Sequence, residues 1–245
     1  MNIGEHNTQS AAFALGIDGC NGAWVVASLD PLGLNTVIKF EVHPTLDFLT
    51  SHAPSRVCID IPIGLSRSGR TCDALARRAL PGAASRVFTA PCREVLACTS
   101  WSAANAMSKQ LTGKGLSQQA FNITHKIREA DELLARAPHL RGVLREVHPE
   151  VCFAHLARHV LPSKKKAEGV AARVAILVHR LAISEPQLRA HAARLRPAGA
   201  KLDDLLDAAV ALVVALAPSA AIRVLPAQPE HDERGLAMEM IYGDL

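Results

Sequence analysis

The order of apolar and polar positions along this chain predicts a sheet first and helices after it. Residues 13–18 and 22–30 are apolar runs around a turn at 19–22, the pattern of paired strands. A third strand is expected over 34–41, after the turn residues Asp30-Pro31-Leu32-Gly33. These three form an antiparallel meander. His43-Pro44 predicts a helix start, with the helix over 44–53. The run 57–61 is nearly all apolar, as a strand covered on both faces is, and Pro62 stops it.

Helical spacing then takes over. Helices are expected over 70–80, ended by Pro81-Gly82, and over 92–109. Thr112-Gly113-Lys114-Gly115 reads as a loop. Residues 117–137 predict one amphipathic helix with Phe121, Ile123, Ile127, Leu133 and Leu134 as its apolar members. A strand over 142–147 leads through His148-Pro149-Glu150 into a helix reaching about 159. Helices follow over 167–182, from Glu185-Pro186, and over 203–217, where Pro218 ends the last one. Short strands at 221–224 and 235–242 close the chain. The expected whole is a single α/β domain over 1–245. It holds a mixed five-stranded sheet flanked by helices, with a helical insertion at about 66–140 between strands 4 and 5.

Composition narrows the function classes. The chain has 245 residues, 49% hydrophobic and 20% charged, enough for one sizeable core. Aromatics at 4% argue against a protein that stacks many bases. The net charge of +4 permits a polyanionic partner without requiring one. Six cysteines, at 20, 58, 72, 92, 98 and 152, form no CxxC pair and no zinc-finger spacing. They read as free buried thiols in a reducing, cytoplasmic setting. Residues 1–10 lack a basic segment followed by an apolar one, so no signal peptide is expected. The apolar helical run 208–217 is too short to span a bilayer, so no membrane partner is expected. Oligomeric state is not readable.

Four acids stand out against this background. Asp18 ends the apolar run 13–17, and Asp60 ends the run 57–59. An acid in so apolar a run is costly unless it is paired or metal-bound. Asp203-Asp204-Leu205-Leu206-Asp207 opens the last helix. Capping accounts for Asp203, but Asp207 lies a turn in and shares a face with Asp204. Two close carboxylates repel, and a cation between them removes the repulsion. Hard oxygen donors suit Mg²⁺ or Mn²⁺. Asp18, Asp60, Asp204 and Asp207 are therefore the expected metal ligands, with Glu146, His148 and Glu150 as added ligands or proton carriers. Each has a plainer alternative: Asp18 and His148 as turn residues, Glu146 as a strand surface residue, Glu150 as a first-turn helix acid. Ser163-Lys164-Lys165-Lys166 reads either as a nucleic-acid backbone contact or as a solvated helix start.

The chain resembles a known family at this point. Gly16-Ile17-Asp18-Gly19-Cys20-Asn21-Gly22, Ile59-Asp60-Ile61-Pro62-Ile63-Gly64, Arg70-Thr71-Cys72-Asp73, Val87-Phe88-Thr89-Ala90-Pro91-Cys92-Arg93, Ser117-Gln118-Gln119-Ala120-Phe121, Lys126-Ile127-Arg128-Glu129-Ala130-Asp131, Glu146-Val147-His148-Pro149-Glu150 and Asp203-Asp204-Leu205-Leu206-Asp207-Ala208 carry the resemblance. They are similar in order to the predicted ribonuclease H-like nucleases catalogued as domain of unknown function 429. The order of elements also resembles the ribonuclease H-like fold. The acid pattern is similar to that of Holliday-junction resolvases, which use Glu where Asp60 stands here. The resemblance implies a metal-dependent nuclease, a hydrolase acting on RNA or DNA. It also implies that Lys126, Arg93, Arg70 and Gln118 contact substrate.

Two rival functions share such a core. Gly16-Ile17-Asp18-Gly19 resembles the first phosphate loop of sugar kinases and actin, which are small-molecule phosphotransferases or nucleotide-binding proteins. The second Gly-rich loop they need is missing between 55 and 225. A catalytically silent binding module is the other rival. Gly113-Lys114-Gly115 is not a phosphate-loop motif, because Ser108 and Gly115 stand where Gly and Ser or Thr are required.

Overall fold

Five strands in the order β3-β2-β1-β4-β5 form the central sheet, in a computed structural model that describes residues 13–29 and 37–245. β1 (Ala14–Cys20), β2 (Ala23–Leu29) and β3 (Ile38–His43) make the antiparallel meander. β4 (Arg56–Ile59) lies parallel to β1, and β5 (Leu144–Glu146) lies parallel to β4. The expected turn at 30–33 lies outside the described residues, and the described part of the third strand runs two residues past the expected end. The expected helix over 44–53 is only a 3-10 turn at Leu46–Ser51, capped by Thr45.

Helices fill the interval between β4 and β5. They are α1 (Thr71–Arg78), α2 (Trp101–Thr112), α3 (Gln118–Asn122) and α4 (Thr124–Arg136). Two expected helices are each broken in two. Ser100 restarts the first as an N-cap, its hydroxyl accepting from the Ala103 N–H, so a 3-10 turn at Arg93–Ala97 precedes α2. The Thr124 hydroxyl donates to the Phe121 carbonyl at 2.8 Å, where α3 gives way to α4.

After β5 come α5 (Pro149–Ala157), α6 (Ala167–Leu181), α7 (Glu185–Leu195) and α8 (Leu202–Leu216). Every residue of α8 from Leu205 to Ala215 is buried. Its apolar perimeter follows from its place, with β1 on one side and α5, α6 and α7 on the other. The sheet separates two cores by its period of two. Val25 and Cys58 face α8, whereas Leu15, Ile17, Trp24, Val57 and Ile59 meet Ile127, Leu133 and Leu134 of α4.

The chain ends in a separate two-stranded antiparallel sheet, β6 (Arg223–His231) and β7 (Ala237–Tyr242). β6 is longer than the expected 221–224 and hard to foresee, because Pro226 and Pro229 lie inside it. A two-stranded sheet has free edges, and its ladder is irregular between Leu225 and Glu230, so neither proline displaces a needed donor. The hairpin rests on α1 and β5. Among the described residues no helix is long and apolar enough to cross a membrane, and all six cysteines are free thiols.

Candidate active site

The acids converge because of how α8 crosses β1. Gly16 touches α8 so closely that an added Cβ would lie 2.2 Å from the Ala208 carbonyl oxygen. Two residues further along β1 is Asp18, about 7 Å on. One turn back along α8 is Asp204, about 6 Å the same way. Asp60 follows β4 directly, and its N–H donates to the Ile17 carbonyl at 3.0 Å. Asp18 and Asp60 are thus neighbours at the carboxyl ends of adjacent parallel strands. Open α/β sheets bind ligands at such strand ends. By strand parity Asp60 shares the face of Cys58, toward α8.

Asp18 is the carboxyl on which the other three act. Burial raises the Asp18 carboxyl well above its ordinary value, and Asp60, Asp207 and Asp204 raise it further. Burial pushes Asp60 up to about 7, against the pull of Lys164. Burial likewise pushes Asp207 up to about 7, with Lys164 lowering it and Asp60 raising it. Burial also raises Asp204. Lys164 reaches in between them, its ammonium 2.5 Å from Asp207 Oδ2 and 4.0 Å from Asp203. Burial works against its charge, but Asp207 and Asp18 raise its pKa. The other Asp207 oxygen, Oδ1, is buried without a hydrogen-bond partner.

The donor set fits a hard divalent ion by its chemistry, with oxygen ligands and one orphaned carboxylate oxygen. It is not spaced as a ready metal group: among the described residues no three His, Cys, Asp or Glu are placed to hold an ion. The reason is local. Asp18 Oδ1 accepts from the Gly19 N–H at 2.7 Å, Asp204 Oδ2 caps α8 through the Lys201 N–H at 2.8 Å, and Asp207 Oδ2 holds Lys164.

Asp60, Asp207, His148, Glu150, Lys164 and Lys165 line one cleft of about 690 Å³, together with Arg86, Phe88 and Gln119. His148 Nε2 lies 3.3 Å from the Arg86 carbonyl, which makes it the donor and leaves Nδ1 an acceptor with no protein partner. Burial lowers its pKa, so the ring is neutral at pH 7. Glu150 is occupied, accepting from Arg173 at 2.6 Å and from Arg86. It holds the cleft wall and is not a free proton carrier.

The other expected site residues lie elsewhere. Glu146 pairs in register with Ile59, on the α4 face of the sheet. It accepts from Arg70 at 2.5 Å and from the Ile63 N–H at 2.8 Å, and both side chains are buried. Arg70 also pairs with Asp73 at 3.5 Å, so it braces the insertion and offers substrate nothing. Arg93 joins Asp131 at 3.0 Å and Asp232, tying α4 to the β6–β7 turn. Lys126 donates to the Ala23 carbonyl at 2.5 Å and lies 4.1 Å over the Trp24 ring. Gln118 is exposed and bonds Asn122 at 3.3 Å, while its neighbour Gln119 lines the cleft. Sequence reasoning missed Gln119 and the placement of Lys164. The basic run 164–166 was the available signal for the lysine.

Acid titration gives a testable consequence. Asp60 and Asp207 have folded pKa values of about 7 against an ordinary 3.8. The folded chain therefore keeps protons that the unfolded chain has released between these values. On this account the contribution is complete below about pH 4 and is lost progressively as pH rises through 7. The melting temperature of the metal-free protein is expected to fall by on the order of 5 °C from pH 5 to pH 8. Differential scanning calorimetry checks this, and a flat profile would mean the two carboxylates are already neutralised.

An α/β protein with an acid-lined cleft at its central strand ends is the class these features define. The chain belongs to the family described as protein of unknown function, DUF429, whose model matches residues 16–231. No curated protein and no solved structure matches the chain.

Proposed function

We propose that this protein is a metal-dependent phosphodiesterase acting on RNA or DNA, built on a ribonuclease H-like core. The observation that carries the reading is the gathering of Asp60, Asp204 and Asp207 about Asp18, whose carboxyl all three raise, with Asp60 raising Asp207 as well. The strand order, with β2 alone antiparallel to the rest, supports the core.

Asp18, Asp60, Asp204 and Asp207 would hold one or two Mg²⁺ or Mn²⁺ ions. Such an ion supplies Lewis acidity for in-line attack of water on phosphorus. His148, whose Nδ1 is an acceptor with no protein partner, would be the group to take up the proton of that water. Lys164 neutralises Asp207 when no ion is bound. The phosphotransferase reading has weaker support, because both glycines of its loop serve packing. Gly16 admits α8, and Gly19 leaves space for the Lys126 side chain, whose Cδ would lie 2.7 Å from an added Cβ.

The test is a Mn²⁺ titration by calorimetry, wild type against Asp60→Asn/Asp204→Asn, followed by cleavage of single-stranded, duplex, hybrid and branched substrates. Binding lost in the double variant, with cleavage by the wild type, is the expected result. Metal binding without cleavage would favour a small phosphorylated substrate. No binding at all would leave a silent module.

A further inference from the structure

A second cavity, of about 410 Å³, opens in the helical insertion beside the acid cleft. Ser85, Phe88 and Gln119 line both, so the two adjoin. Its character is the reverse of the cleft's. Lys114 and Arg77 line it with the hydroxyls of Thr89 and Ser117, and so does Arg67, whose guanidinium is paired with Glu94; no carboxylate itself lines it among the described residues.

Lys114 is built into this wall. Its N–H donates to Thr112 Oγ1 at 3.2 Å, and its carbonyl accepts from Ser108 Oγ at 2.8 Å. Gly113, at φ +70, ends α2 and turns the chain there. The backbone is thus held, while the exposed ammonium makes no hydrogen bond or ion pair among the described residues. Arg77 is aimed by the Val87 carbonyl at 3.0 Å and by Thr89 at 2.8 Å. A fixed guanidinium, a free ammonium and hydroxyls without a competing acid are the groups that hold a phosphate.

We propose that this cavity is a second phosphate subsite, so that the substrate is a single strand of two or more nucleotides laid across both cavities. The inference rests on the phosphodiesterase reading of the acid cleft and names its substrate class. Clustered carboxylates repel a phosphodiester, so affinity has to come from cations beside them. Lys114 lines one cavity and Lys165, exposed, lines the acid cleft, so each of the two carries a cation. Half-buried Phe88 sits at the junction and offers a ring face to one unstacked base. Cavities of this size receive a nucleotide. A duplex keeps its bases stacked and cannot place one on Phe88.

Fluorescence anisotropy with a fluorescein-labelled oligo(dT) eight-mer in EDTA reads the subsite without any metal. Lys114→Glu is expected to weaken binding about tenfold and to flatten the salt dependence by about one contact. Arg78→Glu makes the same charge change on exposed α1 surface outside both cavities, and is expected to change binding less than twofold. Equal losses in the two variants, or duplex bound as tightly as single strand, would overturn the subsite. Oligonucleotide binding that needs Lys114, with no cleavage by the wild type in Mn²⁺, would keep the subsite and overturn the diesterase. Cleavage with an unchanged KM in Lys114→Glu would overturn the subsite alone.

Discussion

Asp207→Asn is expected to lower metal-dependent cleavage by about a thousandfold or more while the protein still folds. Asp207 joins two features that no other acid of the cluster combines. One oxygen holds Lys164 at 2.5 Å, and the other is buried with no partner. An amide retains a carbonyl oxygen for Lys164, so the contact to the loop before α6 survives. What disappears is the charge that a divalent ion requires. At pH 8 the wild-type carboxyl, with its pKa near 7, is mostly charged and buried. The amide removes that cost, so the variant should melt no lower than the wild type. Asp18→Asn is expected to lose activity to a similar extent. Cleavage assays under single-turnover conditions, beside circular dichroism melts, separate activity from folding. Full activity in either variant would sink the site assignment.

Gly16→Ala is expected to be among the most damaging single-methyl additions in the described chain. The new Cβ would meet the Ala208 carbonyl oxygen and the Leu212 nitrogen at 2.2 Å, and the Ala211 carbonyl carbon at 2.8 Å. All three are backbone atoms of α8, so no rotamer relieves the clash. The helix has to move off β1, opening the largest core on the way. Overpacking of this kind costs about 3–5 kcal/mol, a large share of the stability of an ordinary domain. For a chain of this length that is a fall of about 10 °C or more in melting temperature. The move would also displace Asp204 and Asp207 from Asp18, so activity should fall in the fraction that remains folded. A melting temperature within a few degrees of the wild type would show that α8 is not seated on Gly16 as described.

β1, β2, β4 and α8 were legible from the chain because burial on two sides leaves long apolar runs, whichever neighbours supply it. The four aspartates were legible for the same reason, as charges set in runs that otherwise exclude them. Breaks within the insertion were not, because a single hydroxyl at Ser100 or Thr124 diverts the backbone in a stretch whose spacing stays helical on both sides. Both strands of the β6–β7 sheet were expected, but the length of β6 was hidden by prolines that only a sheet with free edges tolerates.

The split runs through the site as well. Local pattern was enough to mark Asp18, Asp60, Asp204 and Asp207 as one set and His148 as their neighbour. It could not say which face of the sheet Glu146 would take, since that depends on the register of β5 against β4, in which Glu146 stands opposite Ile59. Nor could it assign the cations. Arg70, Arg93 and Lys126 sit in family-like segments, yet each is drawn into an ion pair or a carbonyl by elements distant in sequence. Lys164 reaches Asp207 across 43 positions of chain. Burial is a property that a run of residues carries along its own length, whereas the pairing of charges is set by which surfaces the fold brings within a few ångströms.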